Sequence, residues 1–324
     1  MPYDRRLVEV LGVGGVRIAG IVACVPRNAV ANDAKVAAAT GIPSRRVTPD
    51  GVTLLDLCCV AATRVMADTR SRPEEFGAIL AVSFTQHDRM PSLAAQAQAR
   101  LGFPKAILAF DVMQACAGWP YGLYLAALLA RETGKKVLLL DGDRQSDFLD
   151  AHDATTTPLL SDGATATIVE RADAAEAWRF AFLTDGEKGG ALRLEKDSTI
   201  QMDGFGVFRF VATDVVAFLK EFVRQSTDAD GSTFFVPHQP NVYMVRQLAK
   251  ALGLEGRTLV SADRLGNLAS ASVPATLVAN AAAIASAPSP VRLLVSGFGG
   301  GLAISAGAIA LDPATPLALF DFPR

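Results

Sequence analysis

Short runs of β-branched and large apolar residues, each bounded by Gly, Pro or charge, alternate along the chain with longer segments whose apolar positions repeat at helical spacing. Strands are predicted over 16–22, 78–84, 107–113, 137–140, 165–169, 233–236, 293–295 and 302–310, with a further short one over 258–260. Helices are predicted over 54–67, 93–101, 118–133, 211–225, 242–252 and 273–285. This alternation predicts an α/β protein whose sheets are largely buried. The Ala-rich stretch 275–287 is shorter than the ~20 residues a membrane span needs, so it reads as a buried helix.

The pattern also repeats weakly. Strand 78–84 leads through Gln86 and His87 into a helix ending at Leu101-Gly102, and strand 233–236 leads through His238 and Gln239 into one ending at Leu252-Gly253. Leu160-Ser-Asp-Gly-Ala164 and Gly299-Gly-Gly-Leu-Ala303 are both Gly-led entries into a strand of small and branched residues. Self-similarity of this kind predicts a duplication, with an N-terminal half over 1–172 and a C-terminal half over 173–324.

The 324 residues suffice for two such halves. Half are apolar, a fifth are charged, and the formal net charge is −2, so the chain carries no electrostatic footprint for nucleic acid or an anionic membrane. Cys24, Cys58, Cys59 and Cys116 lack zinc-like spacing, which predicts a reduced protein with no metal site. The polar N-terminus, without a signal-peptide core, predicts a cytoplasmic location.

Cys116 closes one apolar run and opens a helical segment. Backbone N–H groups and the positive end of a helix dipole at such a junction favour thiolate, predicting a pKa below the usual ~8.5. An inert, packed thiol is the competing reading. His238, in Val236-Pro-His-Gln-Pro-Asn241, is expected to be exposed at a strand's C-terminal end as an acid/base group, or to belong to a capping region in which Asn241 caps the next helix. Asn267 follows Gly266 in a turn before a helix starting near Pro274; it is either a functional amide or a simple turn former.

Taken together, Asp111-Val-Met-Gln-Ala-Cys116-Ala-Gly, Leu160-Ser-Asp-Gly-Ala164, Val236-Pro-His238-Gln-Pro-Asn241, Asp263-Arg-Leu-Gly-Asn267 with Ser270-Ala-Ser-Val-Pro274, and Gly297-Phe-Gly-Gly-Gly301 resemble the β-ketoacyl-ACP synthase III family, condensing enzymes of the thiolase fold. The likeness runs from Val16-Arg-Ile-Ala-Gly20 to the last strand. It implies duplicated α/β halves in a five-layer αβαβα arrangement, and a homodimer acting on acyl-CoA or acyl-ACP thioesters, as in fatty acid or polyketide biosynthesis, with no tightly bound cofactor. Residue by residue it implies Cys116 as nucleophile with His238 and Asn267, an oxyanion hole from the N–H groups of Cys116 and Gly300, and an acyl pocket involving Met90, Trp119, Phe208 and Phe298. Arg45, Arg46, Arg246, Lys250 and Arg257 are the implied contacts for an acidic, pantetheine-bearing acyl carrier protein.

There are departures. Where the family carries a Trp and an Arg that grip the CoA nucleotide, this chain has Lys35-Val-Ala-Ala-Ala39. Ala154 stands in place of a usual Arg, and Tyr243 in place of a basic residue implicated in carrier docking. The expected reaction is ping-pong acyl transfer to Cys116 followed by decarboxylative Claisen condensation with malonyl-ACP. Two alternatives are acyl transfer from Cys116 to an oxygen or nitrogen nucleophile, and a catalytically silent acyl-binding subunit.

Overall fold

The computed structural model describes residues 8–323 apart from 87, 89, 174, 197, 227–230 and 232, so His87 lies outside the described residues. Among the described residues the strands in chain order are β1 (Leu11–Val13), β2 (Val16–Val25), β3 (Ala29–Ala31), β4 (Ser44–Arg46), β5 (Phe76–Val82), β6 (Leu108–Val112), β7 (Lys136–Asp143), β8 (Gly163–Arg171), β9 (Trp178–Thr184), β10 (Leu192–Arg193), β11 (Gln201–Met202), β12 (Phe234–Pro237), β13 (Val291–Gly299), β14 (Ala303–Leu311) and β15 (Leu317–Asp321). They build a six-stranded sheet, β15-β2-β8-β7-β5-β6, a five-stranded sheet, β1-β9-β14-β13-β12, and the small ribbons β3-β4 and β10-β11.

Side-chain alternation along the strands sets the layers. In β5, Ala78, Leu80 and Val82 face the interior between the sheets, while Phe76, Ile79 and Ala81 face the outer helices. Trp119, Leu123, Ala126 and Ala127 of helix Gly118–Thr133 join Val273, Ala275 and Leu277 of helix Ser272–Ala279 in the central apolar cluster, which draws on both sheets. Leu57, Cys58 and Val65 of helix Leu54–Asp68 cover the outer face of the six-stranded sheet. Phe218, Leu219 and Phe222 of helix Val216–Gln225, with Leu248 of helix Val242–Leu252, cover the outer face of the five-stranded one. The order helix, sheet, helix, sheet, helix is the five-layer thiolase arrangement. No described helix is long and apolar enough to cross a membrane.

Two edge strands pair far along the chain: β1 with β9, and β15 with β2. The segment 258–260 is not a strand. It makes a single bridge, Thr258 with Phe235, because the chain turns at once into the short helix Ala262–Leu265. The helix foreseen over 211–225 begins earlier, at Gly204, and passes through a wider turn at Val211–Val215. That foreseen over 273–285 divides at Asn280, whose side-chain amide donates to Thr276 O and Val260 O.

Both central helices start in the same way. Gln114-Ala115-Cys116-Ala117 and Leu268-Ala269-Ser270-Ala271 each contain an alanine in the left-handed region (φ 42° at Ala115, 46° at Ala269) followed by a 3₁₀ turn that runs straight into the helix. A left-handed non-glycine residue costs about 1–2 kcal/mol and persists only where the surroundings over-determine it.

Candidate active site

The Cys116 turn packs against β13 and against the turn Ala269–Ala271. Glycines make the first approach possible. A Cβ on Gly299 would lie 2.7 Å from Cys116 Cβ and 3.4 Å from its sulfur, and one on Gly297 would lie 2.8 Å from Ala117 Cα. On the other side, a Cβ on Gly118 would fall 2.2 Å from Val82 Cγ1, which seats the nucleophile helix on the end of β5. Ser305 Oγ donates to Ala117 O at 2.8 Å and ties β14 to the same turn.

Cys116 keeps part of its surface open, yet its thiol is pushed up to about 12, first by burial of the sulfur and then by the Asp143 carboxylate. This corrects the expectation of a lowered pKa. Desolvation of the thiolate, reinforced by a neighbouring anion, outweighs the helix terminus.

His238 follows β12, which runs parallel to β13 with Pro237 opposite Ser296. Its N–H donates to Ser296 O at 2.7 Å, and its ring meets Phe298 edge-on at 5.3 Å between centroids. It is only 3% exposed, not exposed as the sequence suggested, because Phe298 and the loop locked by Gln239 close over it. Burial lowers its pKa to about 3, so the imidazole is neutral near pH 7. Asn241 caps helix Val242–Leu252 by accepting from Met244 N at 2.8 Å.

Asn267 is clamped by its backbone. Its N–H donates to Leu159 O at 3.0 Å, and its carbonyl accepts from Ser161 N at 2.9 Å and Gln145 Nε2 at 2.8 Å. Gly266, at φ 71°, leaves no room for a side chain, since a Cβ there would meet Ser161 Oγ at 2.2 Å. Asn267 Oδ1 accepts from Ala269 N at 2.9 Å, which orients the carboxamide with Nδ2 as its donor end. The Cys116 turn packs on β13 and on the turn just after Asn267, and His238 follows β12, which pairs with that same β13.

Gly300 lies in the turn after β13, and a Cβ there would be 4.0 Å from Ala115 Cβ. The other expected residues divide. Phe298 is at the site through His238. Trp119 is fully buried in the central core with Nε1 donating to Thr167 Oγ1 at 3.3 Å. Phe208 is 40% and Met90 85% exposed. The Arg46 guanidinium donates to Pro26 O and pairs with Asp321 at 3.0 Å. Arg45 and Arg257 are half-buried, whereas Arg246 and Lys250 are exposed on helix Val242–Leu252. Sequence reasoning passed over Asp143, Gln145, Asp162 and Gln239, whose hydrogen bonds hold the catalytic turns. The signal was present at Asp143, an acid ending the buried run Lys136–Asp143. Among the described residues no cluster of three or more His, Cys, Asp or Glu could hold a metal ion.

A five-layer fold with a cysteine at the head of one central helix, and a histidine and an asparagine delivered from the other half, defines a condensing enzyme of the thiolase class. The family described as 3-oxoacyl-[acyl-carrier-protein (ACP)] synthase III matches residues 110–186, and its C-terminal counterpart matches 222–311. The β-ketoacyl-[acyl-carrier-protein] synthase III of Tropheryma whipplei is 30% identical over 288 residues, covering 85% of this chain and 88% of the relative; that of Geobacillus kaustophilus is 32% identical over 276 residues, covering 84% and 87%. Among solved structures, a 3-oxoacyl-(acyl-carrier protein) synthase from Burkholderia xenovorans superposes with a TM-score of 0.91 at 28% identity, covering 98% of this chain and 100% of that one. The priming β-ketosynthase of the R1128 polyketide pathway superposes with a TM-score of 0.83, also at 28% identity, over 93% and 98%. The chain belongs to the β-ketoacyl-ACP synthase III family, and it is an acyl-transferring condensing enzyme.

Proposed function

We propose that this enzyme makes a 3-oxoacyl-ACP by loading an acyl group on Cys116 and condensing it with malonyl-ACP, with His238 and Asn267 serving the second step. Loading exchanges one thioester for another, and the Cys116 proton ends on the departing carrier thiol. Because the thiol is held near 12, that proton leaves during attack and not before it. In condensation the malonyl carboxylate departs as CO₂, and its bonding electrons form an enolate whose carbon attacks the acyl-cysteine. The thiolate leaves, a proton is taken up, and Cys116 is free again. A neutral His238 and the Nδ2 end of Asn267 are suited to donate hydrogen bonds to the enolate oxygen, as N–H groups of Cys116 and Gly300 are to the oxyanion on the acyl carbon. These steps need neither metal nor redox cofactor.

The observation that carries this reading is the Asn267 clamp: a buried amide oriented by Ala269 N beside the nucleophile's turn has a use in decarboxylation and none in simple acyl transfer. The donor is taken to be an acyl-carrier thioester, because the CoA-gripping residues are replaced by Lys35-Val-Ala-Ala-Ala39 while Arg246 and Lys250 stand exposed for an acidic carrier. The halves 1–172 and 173–324, exchanging β1 and β15, are read as the duplicated units. A homodimer is supported by β6, an edge of the six-stranded sheet that exposes Leu108 and Phe110, with Met113 exposed just after it.

Intact-mass analysis with a panel of acyl-CoA and acyl-ACP donors tests the first step, and labelled CO₂ release from malonyl-ACP tests the second. Adducts on the wild type but not on Cys116→Ala, followed by CO₂ release, are expected. Loading without CO₂ release would shift the reading to acyl transfer, and no loading from any donor to a silent subunit.

A further inference from the structure

We propose that Asp143 is a positioning residue for the condensation step, its carboxylate holding the turn that carries Asn267 against the end of the strand on which the Cys116 turn is seated. This inference rests on the condensation reading above. Asp143 is fully buried at the end of β7, and both of its oxygens are used. Oδ1 accepts from Ser83 Oγ at 3.1 Å, Phe84 N at 3.0 Å and Thr85 Oγ1 at 3.1 Å, all just beyond β5. Oδ2 accepts from Ser270 N at 3.1 Å and Ser270 Oγ at 2.6 Å. Ser270 follows Ala269, whose N–H orients the Asn267 carboxamide, and Val82, at the end of β5, touches the helix behind Cys116. A chain of hydrogen bonds therefore runs from β5 through one carboxylate to the amide that meets the substrate.

The geometry favours the anion. Each oxygen receives a backbone N–H, which can only donate, so an amide turns its NH2 toward one of them and breaks that side, while a protonated acid keeps only the weaker acceptor capacity of its hydroxyl oxygen there. Burial raises the Asp143 pKa to about 6 against the pull of its donors. The ionisable groups that feel this carboxylate are Cys116, Asp141 on the same strand, and Cys58 on the helix packed behind it. Burial raises the pKa of all three, which disfavours charge on the two thiols and on the Asp141 carboxyl. Arg144, next in sequence, turns away to Val52 O and Asp147. Asp143, raised to about 6, is thus a group at the site that takes up a proton as the pH falls below neutral.

The test is Asp143→Asn in the full-length enzyme, with Ser270→Ala beside it. A small misplacement of a catalytic donor costs about a hundredfold in rate, so D143N is expected to slow CO₂ release from malonyl-ACP by about that factor while acyl loading of Cys116 changes little. Wild-type CO₂ release is expected to fall as the pH drops through about 6, and this limb should vanish in D143N. Because the anion also disfavours thiolate, alkylation of Cys116 by iodoacetamide should move to lower pH in D143N but not in S270A, which keeps the anion; an equal move in both variants would report loosened burial of the thiol and overturn the inference. S270A should slow CO₂ release less, about tenfold, and keep the pH limb. Equal slowing of loading and CO₂ release, or an unmoved alkylation profile with CO₂ release unchanged, would overturn the inference. Wild-type protein that loads acyl groups yet releases no CO₂ would instead overturn the condensation reading, and this inference with it.

Discussion

The turns Ala115–Ala117 and Ala269–Ala271 share a backbone and differ in what surrounds the middle residue. Each follows a left-handed alanine and each opens a central helix. Around Cys116 the wall is glycine, Gly297 and Gly299, which offers no hydrogen-bond partner to the sulfur and leaves the residue partly open. Around Ser270 the wall is the Asp143 carboxylate, which takes both the hydroxyl and the N–H and leaves the residue 1% exposed. One local conformation therefore yields the partly open turn of the proposed nucleophile in one place and a buried anchor in the other. The strain is the same, and the neighbours decide the role.

Making the two turns chemically alike is the largest perturbation. Cys116→Ser replaces a polarizable thiol by a hydroxyl with no base able to ionise it, since His238 is held near 3, so covalent loading should disappear on an intact-mass assay while the fold is retained. Next is Gly299→Ala, which removes the glycine wall. With a Cβ only 2.7 Å from Cys116 Cβ, overpacking should cost about 1–3 kcal/mol, seen as a lower denaturant midpoint at unchanged slope, and acyl loading should fall sharply.

A pH titration of stability probes the burial that both turns share. His238 binds its proton at about 3 when folded and near its ordinary 6.5 when unfolded, so the unfolded chain holds more protons between those values. Stability from this source is fully present above about 6.5 and is lost as the pH falls toward 3. Asp143, raised to about 6 from its ordinary 3.8, acts in the opposite sense over that lower range. The diagnostic is therefore the difference between wild type and His238→Asn, whose acid destabilisation should be the smaller of the two in chemical denaturation. Relief of strain is the smallest effect: Ala115→Gly and Ala269→Gly should each stabilise by about 0.5 kcal/mol, because glycine adopts positive φ freely but gives up more chain entropy. If only one of the pair responds, the two turns are not equivalent.

Much of this arrangement could be read before any coordinates. Helices Gly118–Thr133 and Val242–Leu252 were expected over those same residues, because clear apolar periodicity meets a glycine stop at Gly134 and Gly253. Helix Leu54–Asp68 and the interiors of β5, β7, β8 and β13 were also visible as apolar runs. β1 and β15 were not, since three- and five-residue edge strands gain their pairing from the opposite half and carry little signal of their own. β9 was missed although Trp178-Arg-Phe-Ala-Phe alternates visibly, because it directly follows the polar stretch around residue 172.

The amino-acid order by itself determined the α/β class and, through the order of its motifs, the resemblance to the β-ketoacyl-ACP synthase III family, since periodicity, glycine stops and motif order are local properties of a chain; the two halves and the trio Cys116, His238 and Asn267 followed from it as expectations. Only the tertiary structure decided the electrostatics and the supports: that the cysteine is a buried thiol, that the histidine is neutral, that Trp119 is buried and Arg46 ion-paired, and that Asp143 holds the Ser270 turn. Desolvation and hydrogen bonding depend on which groups from distant segments come within a few ångströms, and no window along the chain contains that information.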